Sequence, residues 1–425
     1  MATTTPNFGW PVPTSTDLVK DGATAIEALG DSIDASLLDL KGGTTGQVLS
    51  KNSNTDMDFT WVTDAAGDIT AVTAGTGLTG GGTSGAVSLA FDVANFGGAQ
   101  GAGGKNKAIN GACEIAQRGT SAVTLTAASF LYPVDRFFAG RSSGTTGATA
   151  QQFTSTTLEG FQYGVRVQRT AANTSTNDLY IGQSFETANS IPLANKAVVV
   201  SFYARAGANY SPTSSALNVR FYTGTGTDQS GLGSAFTGTA TPISQTATLT
   251  TSWQRFQYTA TLASTATQVQ FLVFCTPTGT AGAADYFDIT GLQVELGATA
   301  TPFTRCEGSI QSELAACQRY YQRRTSTNAY AIVATSYVTT TTNVVAYAEL
   351  PVTMRVVPTS VDFSTLAQES PGNFLGAITA VTVADKASPT VFAGNFTSSG
   401  MTVGQTGWIA FNNSTSAYLG FSAEL

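Results

Sequence analysis

Carboxylates, tyrosines and lysines are the side chains that could do chemistry here, because the 425 residues include no histidine. Without an imidazole there is no Ser-His-Asp or Cys-His nucleophile pair and no His-ligated zinc or iron. Carboxylates are available at Glu159, Asp178, Asp285 and Asp288. Nothing in their spacing pairs them at the separation of about 5 to 10 Å that glycoside hydrolysis requires. The sequence favours binding over catalysis, and we do not expect an enzyme.

The four cysteines, Cys113, Cys275, Cys306 and Cys317, form no CxxC pair and show no metal-ligand spacing. They are too few to cross-link a chain of this length. We interpret them as small buried hydrophobic residues. A Cys306–Cys317 or a Cys113–Cys275 disulfide is the alternative.

The composition is poor in charge, since 11% of the residues are charged and 42% are hydrophobic. An ordinary soluble domain carries roughly a quarter charged residues. The 44 glycines indicate strands joined by many turns. A net charge of −7 argues against nucleic-acid binding, which needs a basic surface. The sequence shows neither a signal peptide nor an apolar run of about 18 residues, so we expect synthesis in a cytosol and no membrane insertion.

Residues 17–40 are predicted to form a helix with an apolar seam. Val19, Ile26, Ile33 and Leu40 recur at a seven-residue interval, which is typical of helices that pack on copies of themselves. The β-branched residues of the seam fit a bundle of two or three copies, which makes residues 17–40 a candidate trimerising helix. An amphipathic helix that packs on its own chain is the alternative.

The rest of the N-terminal region has no core of its own. Residues 1–16 are rich in proline and are interpreted as an extended arm. Residues 41–104 begin with a small β unit that ends in Phe59 and Trp61, and continue into a glycine-rich stretch. That stretch is either a flexible linker or a shaft in which strands from several chains intertwine, and its alternating apolar residues favour the shaft.

Residues 105–305 alternate apolar and polar residues between turn signals, which predicts an all-β sandwich. Its predicted strands lie within residues 162–170, 178–186, 197–206, 217–225, 252–262, 267–276 and 286–296. Its predicted core consists of Phe137, Val165, Val167, Ile181, Phe185, Val199, Phe202, Val219, Phe221, Trp253, Phe256, Phe271, Val273, Phe287, Ile289 and Leu292.

Residues 306–425 are predicted to begin with a linking helix from Ser309. Glu313 is expected to complete a capping box at its N-terminus. Tyr320 and Tyr321 are expected to lie on its apolar stripe. A second β-sandwich follows, and its last strand is expected to reach Leu425. Its predicted strands lie within residues 330–338, 343–352, 358–365, 374–383, 390–396, 407–413 and 417–425.

Several segments together resemble those of tailed-bacteriophage tail fibres and minor tail proteins. The first such segment resembles a virion-attachment arm and helix, and it reads TPNFGWPVPTSTDLVKDGATAIEALGDSID. The second resembles a short repeated fibre unit, and it reads GGTTGQVLSKNSNTDMDFTWV. The third resembles a trimeric shaft insert, and it reads GDITAVTAGTGLTGGGTSGAVSLAFD. A fourth, longer stretch resembles a carbohydrate-binding-module-like jelly roll. It runs from NGACEIAQRGTS through YPVDRF, SFYARAGANYS, TSWQRFQYTATL and YFDITGLQVELGATATPFTR to ELAACQRYY.

The resemblance implies a mainly β, elongated homotrimer with a short N-terminal helical bundle, a glycine-rich intertwined shaft, a jelly roll and a distal C-terminal β-sandwich. It implies a structural protein of the virion tail, made in the host cytoplasm. Its N-terminus would bind other tail or baseplate proteins, and its distal domains would bind a host-cell surface glycan. A neck or head fibre, or a connector without receptor contact, is the alternative, and a tailspike-type depolymerase is a further one.

The resemblance also implies site residues. Sugar binding on a sandwich uses aromatic faces, for which Tyr180, Tyr203, Tyr222, Trp408 and Tyr418 are the candidates.

Glu114 and Asp288 occupy positions that hold a structural calcium ion in some modules of this kind. We expect no other cofactor. The alternative is that arginines pair with the carboxylates of this region, as Glu114–Arg118 or Asp135–Arg136 surface pairs.

Overall fold

A computed structural model describes residues 3–64, 71–75, 78–83, 85–91, 104–127, 130–144, 146–155, 157–370 and 373–425. The chain divides into two compact units, Met1–Phe91 and Asp92–Leu425. Within the described ranges, no helix is both long enough and apolar enough to cross a membrane.

The first unit contains the predicted helix and the predicted β hairpin. The elements are β1 (Thr3–Thr4), β2 (Pro11–Val12), α1 (Val19–Leu37), β3 (Gln47–Lys51), β4 (Phe59–Thr63), β5 (Val72–Thr73), β6 (Leu78–Gly82) and β7 (Leu89–Phe91). A short 3-10 turn, Leu38–Leu40, ends the helix. The arm folds back as the β1–β2 pair, and the indole Nε1 of Trp10 donates to the Ser36 hydroxyl at 3.0 Å. The arm therefore packs beside the helix of its own unit.

The apolar seam of α1 stays largely exposed. Val19 is 98% exposed, Ile26 63% and Leu40 38%, while Ile33 is half-buried. No residue of α1 is buried. Among the described residues of the first unit, nothing buries the seam of this helix.

The glycine-rich stretch contains one antiparallel sheet in the order β5-β6-β7. Residues 65–70, 76–77, 84 and 92–103 of the predicted shaft lie outside the described residues. Whether strands of several chains intertwine here stays a prediction.

The second unit opens with a sandwich built of two six-stranded antiparallel sheets. Its strands are β8 (Val123–Thr124), β9 (Leu131–Val134), β10 (Phe137–Arg141), β11 (Ala148–Thr154), β12 (Tyr163–Arg169), β13 (Leu179–Ser184), β14 (Ala197–Ala206), β15 (Ala216–Gly224), β16 (Ala240–Thr248), β17 (Gln254–Thr261), β18 (Gln268–Cys275) and β19 (Tyr286–Leu296), with a short helix α2 (Thr187–Ser190). The front sheet has the order β17-β14-β19-β12-β11-β8, and the back sheet has the order β16-β15-β18-β13-β10-β9. The chain crosses repeatedly between the sheets, as in a jelly roll.

The alternating residues of this sandwich form one core. Val165 and Val167 of β12 meet Phe202 of β14 and Phe271 of β18 inside it. Every strand predicted in this region is present. Five more were not predicted, namely β8, β9, β10, β11 and β16.

A helix and a second sandwich complete the chain. They comprise α3 (Ile310–Gln318), β20 (Tyr321–Thr325), β21 (Ile332–Thr340), β22 (Asn343–Glu349), β23 (Ser360–Ser364), β24 (Leu366–Ser370), β25 (Asn373–Ala377), β26 (Ala380–Val383), β27 (Val391–Thr397), β28 (Thr406–Phe411) and β29 (Tyr418–Ser422). The small sheet has the order β20-β29-β23, and the large sheet has the order β25-β24-β28-β21-β22-β27-β26. The predicted second sandwich is therefore present, but β20 and β24 were missed.

The helix α3 differs from the prediction at both ends. Ser309 caps it by accepting from the Ser312 amide at 3.2 Å. Glu313 does not complete a capping box, because its buried carboxylate accepts from the amides of Asn110 and Glu307. Tyr321 lies in β20 instead of on the helix.

The C-terminus and two of the four cysteines meet between the two sandwiches. Cys306, Cys317, Tyr320 and Leu425 form a small apolar cluster with Ile109. All four cysteines of the chain are buried and unpaired, as the first interpretation predicted. The last strand ends at Ser422 and not at the terminus, because the residues after it pack at this junction.

Candidate functional site

The outer face of the front sheet carries a charged row centred on Asp288. This residue of β19 lies in register with Arg166 of β12 on one side and Arg205 of β14 on the other. Arg166 donates to both Asp288 oxygens, from Nε at 2.8 Å and from Nη2 at 3.0 Å, and Arg205 donates from Nε at 2.9 Å. Asp288 itself is fully buried. Adjacent strands present their facing residues to the same side, so the register alone brings the three charges together.

The carboxylate holds both arginines in place. Burial disfavours the charge on Arg166, but the hydrogen bonds and charge of Asp288 outweigh it and raise the pKa of Arg166. Two guanidinium groups and one carboxylate leave one positive charge in excess. The side chains are therefore ordered, and several of their N–H donors remain free of the carboxylate.

Aromatic rings surround the charged row. The Arg166 guanidinium lies 3.5 Å from the ring centroid of Tyr286, and that of Arg205 lies 4.8 Å from Trp253. Phe153 is nearly parallel to Trp253, with centroids 6.4 Å apart and planes at 7°. All of these rings are half-exposed. We call the set the platform, and it consists of Phe153, Arg166, Arg205, Trp253, Tyr286 and Asp288.

The sequence prediction that Trp253 belongs to the core is wrong, because its side chain is half-exposed on the outer face of the front sheet. It precedes β17, in which Phe256 and Tyr258 pack against the core. Because side chains alternate along a strand, the side chain of residue 253 lies on the outer face, opposite to Phe256 and Tyr258. Its indole Nε1 is shielded from solvent and has no hydrogen-bond partner in the part of the chain that the structure describes. The surface available to a ligand is therefore the exposed ring face of Trp253 and of its neighbours, and not this shielded N–H.

The predicted tyrosines of the first sandwich do not form one site. Tyr203 lies on the outer face of the front sheet, near Phe161 with centroids 5.2 Å apart. Tyr180 and Tyr222 belong to an aromatic cluster on the back sheet. Tyr180 is only 7% exposed, so it offers no ring face to a ligand.

The two predicted aromatics of the second sandwich lie on different sheets. Trp408 is on the outer face of the large sheet, and its Nε1 donates to Glu369 at 3.4 Å. Tyr418 is on the small sheet, where the Arg323 guanidinium lies 3.9 Å from its ring centroid. Their separation shows that they do not share one site.

The predicted calcium ligands do not fit a calcium ion. Both oxygens of Glu114 accept from Arg305, each at 2.7 Å, and both oxygens of Asp288 accept from the platform arginines. Among the described residues, no group of three carboxylates or thiols is arranged to hold a metal ion. The partner of Glu114 is Arg305 and not Arg118, and Arg136 pairs with Glu424 and not with Asp135.

Sequence reasoning missed four platform residues, namely Phe153, Arg166, Arg205 and Tyr286. A usable signal existed for Arg166, since it lies between two core valines and so must point outward. No such signal pairs it with Asp288, because 122 residues separate the two.

Comparisons with known proteins give limited information. No protein-family model matches the chain, and no curated protein matches it. Among solved structures, a family 4 carbohydrate-binding module is 19% identical, with a TM-score of 0.28, over 44% of this chain and 98% of its own. A family 22 xylan-binding domain is 16% identical, with a TM-score of 0.25, over 42% of this chain and 96% of its own.

A further similar structure is the enzymatically active domain of bacteriophage CBA120 tailspike protein 4. It is 9% identical, with a TM-score of 0.28, over 45% of this chain and 22% of its own. TM-scores this low decide neither fold nor function, which therefore rest on the geometry of the chain itself.

Proposed function

We propose that the chain is a subunit of a phage tail fibre that attaches the virion to its host by binding a surface glycan on the platform. The observation that carries the glycan-binding part is the half-exposed pair of nearly parallel rings, Phe153 and Trp253, beside the ordered Arg205. The assignment to a virion tail is supported by the sequence resemblance.

The platform combines the two features that sugar recognition uses. The rings of Trp253, Phe153 and Tyr286 offer apolar faces to the C–H side of a pyranose, and the guanidinium N–H groups donate to its oxygens. Asp288 fixes both arginines before the ligand arrives, which reduces the entropy cost of binding.

The exposed seam of α1 supports assembly of the fibre as a homotrimer. Val19, Ile26 and Leu40 together leave an apolar stripe uncovered, and copies of the same helix would cover it. Three copies of a weak site would raise the effective concentration at a cell surface without new contacts. The N-terminal arm would bind tail or baseplate proteins, and the protein would be made in the host cytoplasm.

A glycan array with the purified full chain tests the binding site. We expect binding to at least one bacterial surface glycan and at least a tenfold loss of affinity in Trp253→Ala. The matched control is Phe274→Ala on the back sheet, where Arg220 lies 5.2 Å from the Phe274 ring centroid. Equal losses in both variants would overturn the platform as the binding site.

Competition for adsorption tests the attachment role. Saturating soluble protein should reduce phage adsorption to its host, and Trp253→Ala should reduce it less. If the wild-type chain protects no cells and binds no glycan, the connector function would replace the proposed one.

A further inference from the structure

A second concave site lies in the C-terminal sandwich, away from the platform. The groove runs between β20, an edge strand of the small sheet, and the paired strands β21 and β22 of the large sheet. Its volume is about 890 Å³, within the range of about 300 to 1,000 Å³ of small-molecule sites. The groove is therefore large enough for a short oligosaccharide.

Gln322 lines this groove and carries an unpaired, shielded acceptor. It is 3% exposed, and its Nε2 donates to the carbonyl oxygen of Val352 at 2.5 Å. Because a carbonyl can only accept, this bond fixes the orientation of the amide. The Oε1 atom then has no donor among the described residues. Since buried polar groups are nearly always paired, this oxygen calls for a donor from a ligand.

Arg324 adds a positive charge that forms no ion pair among the described residues. Its guanidinium donates to the backbone carbonyls of Val333 and Glu349, which are neutral acceptors, so three of its five N–H donors are left. In the described part of the chain no carboxylate lies within ion-pair distance of Arg324. By contrast, Arg323 pairs with Asp362 and Arg319 with Glu186. Burial lowers the pKa of Arg324, and the charge of Glu349 partly opposes this.

The rim of the groove supplies apolar contact surface. Tyr347 is 43% exposed and Ile332 is 58% exposed, and both line the groove, as do the buried Phe411 and Phe421. Glu349 is the acidic side chain of the lining and is exposed at the rim. A ligand here needs one anionic group, hydroxyl donors and an apolar face.

We propose that the groove binds an acidic saccharide, with the sugar carboxylate on Arg324, a hydroxyl donating to Gln322 Oε1 and a C–H face against Tyr347. This site rests on the proposed glycan-binding function and extends it, because it adds a carboxylated sugar as substrate class at a second position. The charge on Arg324 is the feature that selects the acid over a neutral sugar.

The test uses the full chain and a panel of uronic-acid and nonulosonic-acid trisaccharides, each paired with its carboxyl-reduced form, in calorimetric titrations. We expect at least one acid to bind at least tenfold more tightly than its reduced form. Arg324→Gln should abolish that preference, and Gln322→Leu should weaken both forms. Glu349→Gln should strengthen binding of the acid several-fold, an effect that loss of folding cannot imitate.

Trp253→Ala separates this site from the platform, since it should leave the acid preference unchanged. If the preference disappears in Trp253→Ala and survives Arg324→Gln, the acid binds on the platform and the groove proposal is wrong. Glycan binding without any preference for acids would also overturn the groove while leaving the proposed function intact. Absence of binding to every acidic and neutral glycan would overturn both.

Discussion

Arg136 and Glu424 form a buried ion pair that joins the two sandwiches. Arg136 lies between β9 and β10 and is 3% exposed, and its Nη1 donates to the carboxylate of Glu424, which follows the last strand. The same guanidinium lies 3.4 Å from the ring centroid of Tyr320. Arg118 contacts Glu424 as well, at 3.3 Å. The junction is therefore built as a charged core.

Removing the carboxylate should destabilise this junction strongly. Glu424→Gln leaves Arg136 buried without its counter-charge, and we expect the free energy of unfolding to fall by about 3 to 5 kcal/mol. Urea denaturation followed by tryptophan fluorescence measures it. Glu349→Gln, an exposed carboxylate, is the control and should change stability by less than about 0.5 kcal/mol. Similar values for the two variants would mean that the pair contributes little.

Asp135 should make stability depend on pH. Burial raises the pKa of its carboxyl to about 6, an effect that the charge of Arg118 opposes and that of Glu424 supports. Between pH 4 and 6 the folded chain keeps this proton while the unfolded chain releases it. The contribution of Asp135 to stability therefore decreases as pH rises through this window, by on the order of 3 kcal/mol, and is constant above it.

The comparison of wild type with Asp135→Asn isolates this carboxyl from the others. Thermal unfolding from pH 4 to 8 should show the variant gaining stability relative to wild type as pH rises to about 6. Parallel pH profiles for the two proteins would contradict the shift.

Chelation should not affect the stability of the first sandwich. Glu114 and Asp288 already have arginine partners, so we expect calorimetry to give the same melting temperature with and without EDTA. A lower melting temperature that added calcium restores would show that a bound ion had been missed.

Charges in the seam of α1 should prevent self-association. Light scattering should give the mass of three chains for the wild type and a lower mass for the double variant Ile26→Asp, Ile33→Asp. The control is Glu27→Gln, an exposed neighbour on the helix. A wild-type mass of one chain would remove the trimer from the proposal.

Strands with clear alternation were predictable from the sequence, and less regular ones were not. Each predicted strand of the first sandwich is present, because alternation of apolar residues directly records which side faces the core. β20 was missed because its first residues were assigned to the preceding helix, and it is a strand because of its pairing with β29. Trp253 was assigned to the core on its residue type. It is an odd number of positions from Phe256, however, so alternation along the strand places it on the opposite face.

The sequence by itself determined the mainly β class, the helix with its apolar seam and the exclusion of histidine chemistry. These follow from composition and from patterns within a few neighbouring residues. Only the tertiary structure decided that Asp288 lies between Arg166 and Arg205, that Glu114 binds Arg305, and that Gln322 and Arg324 share a groove. Those relationships depend on strand order and register across distant segments, which local periodicity does not specify.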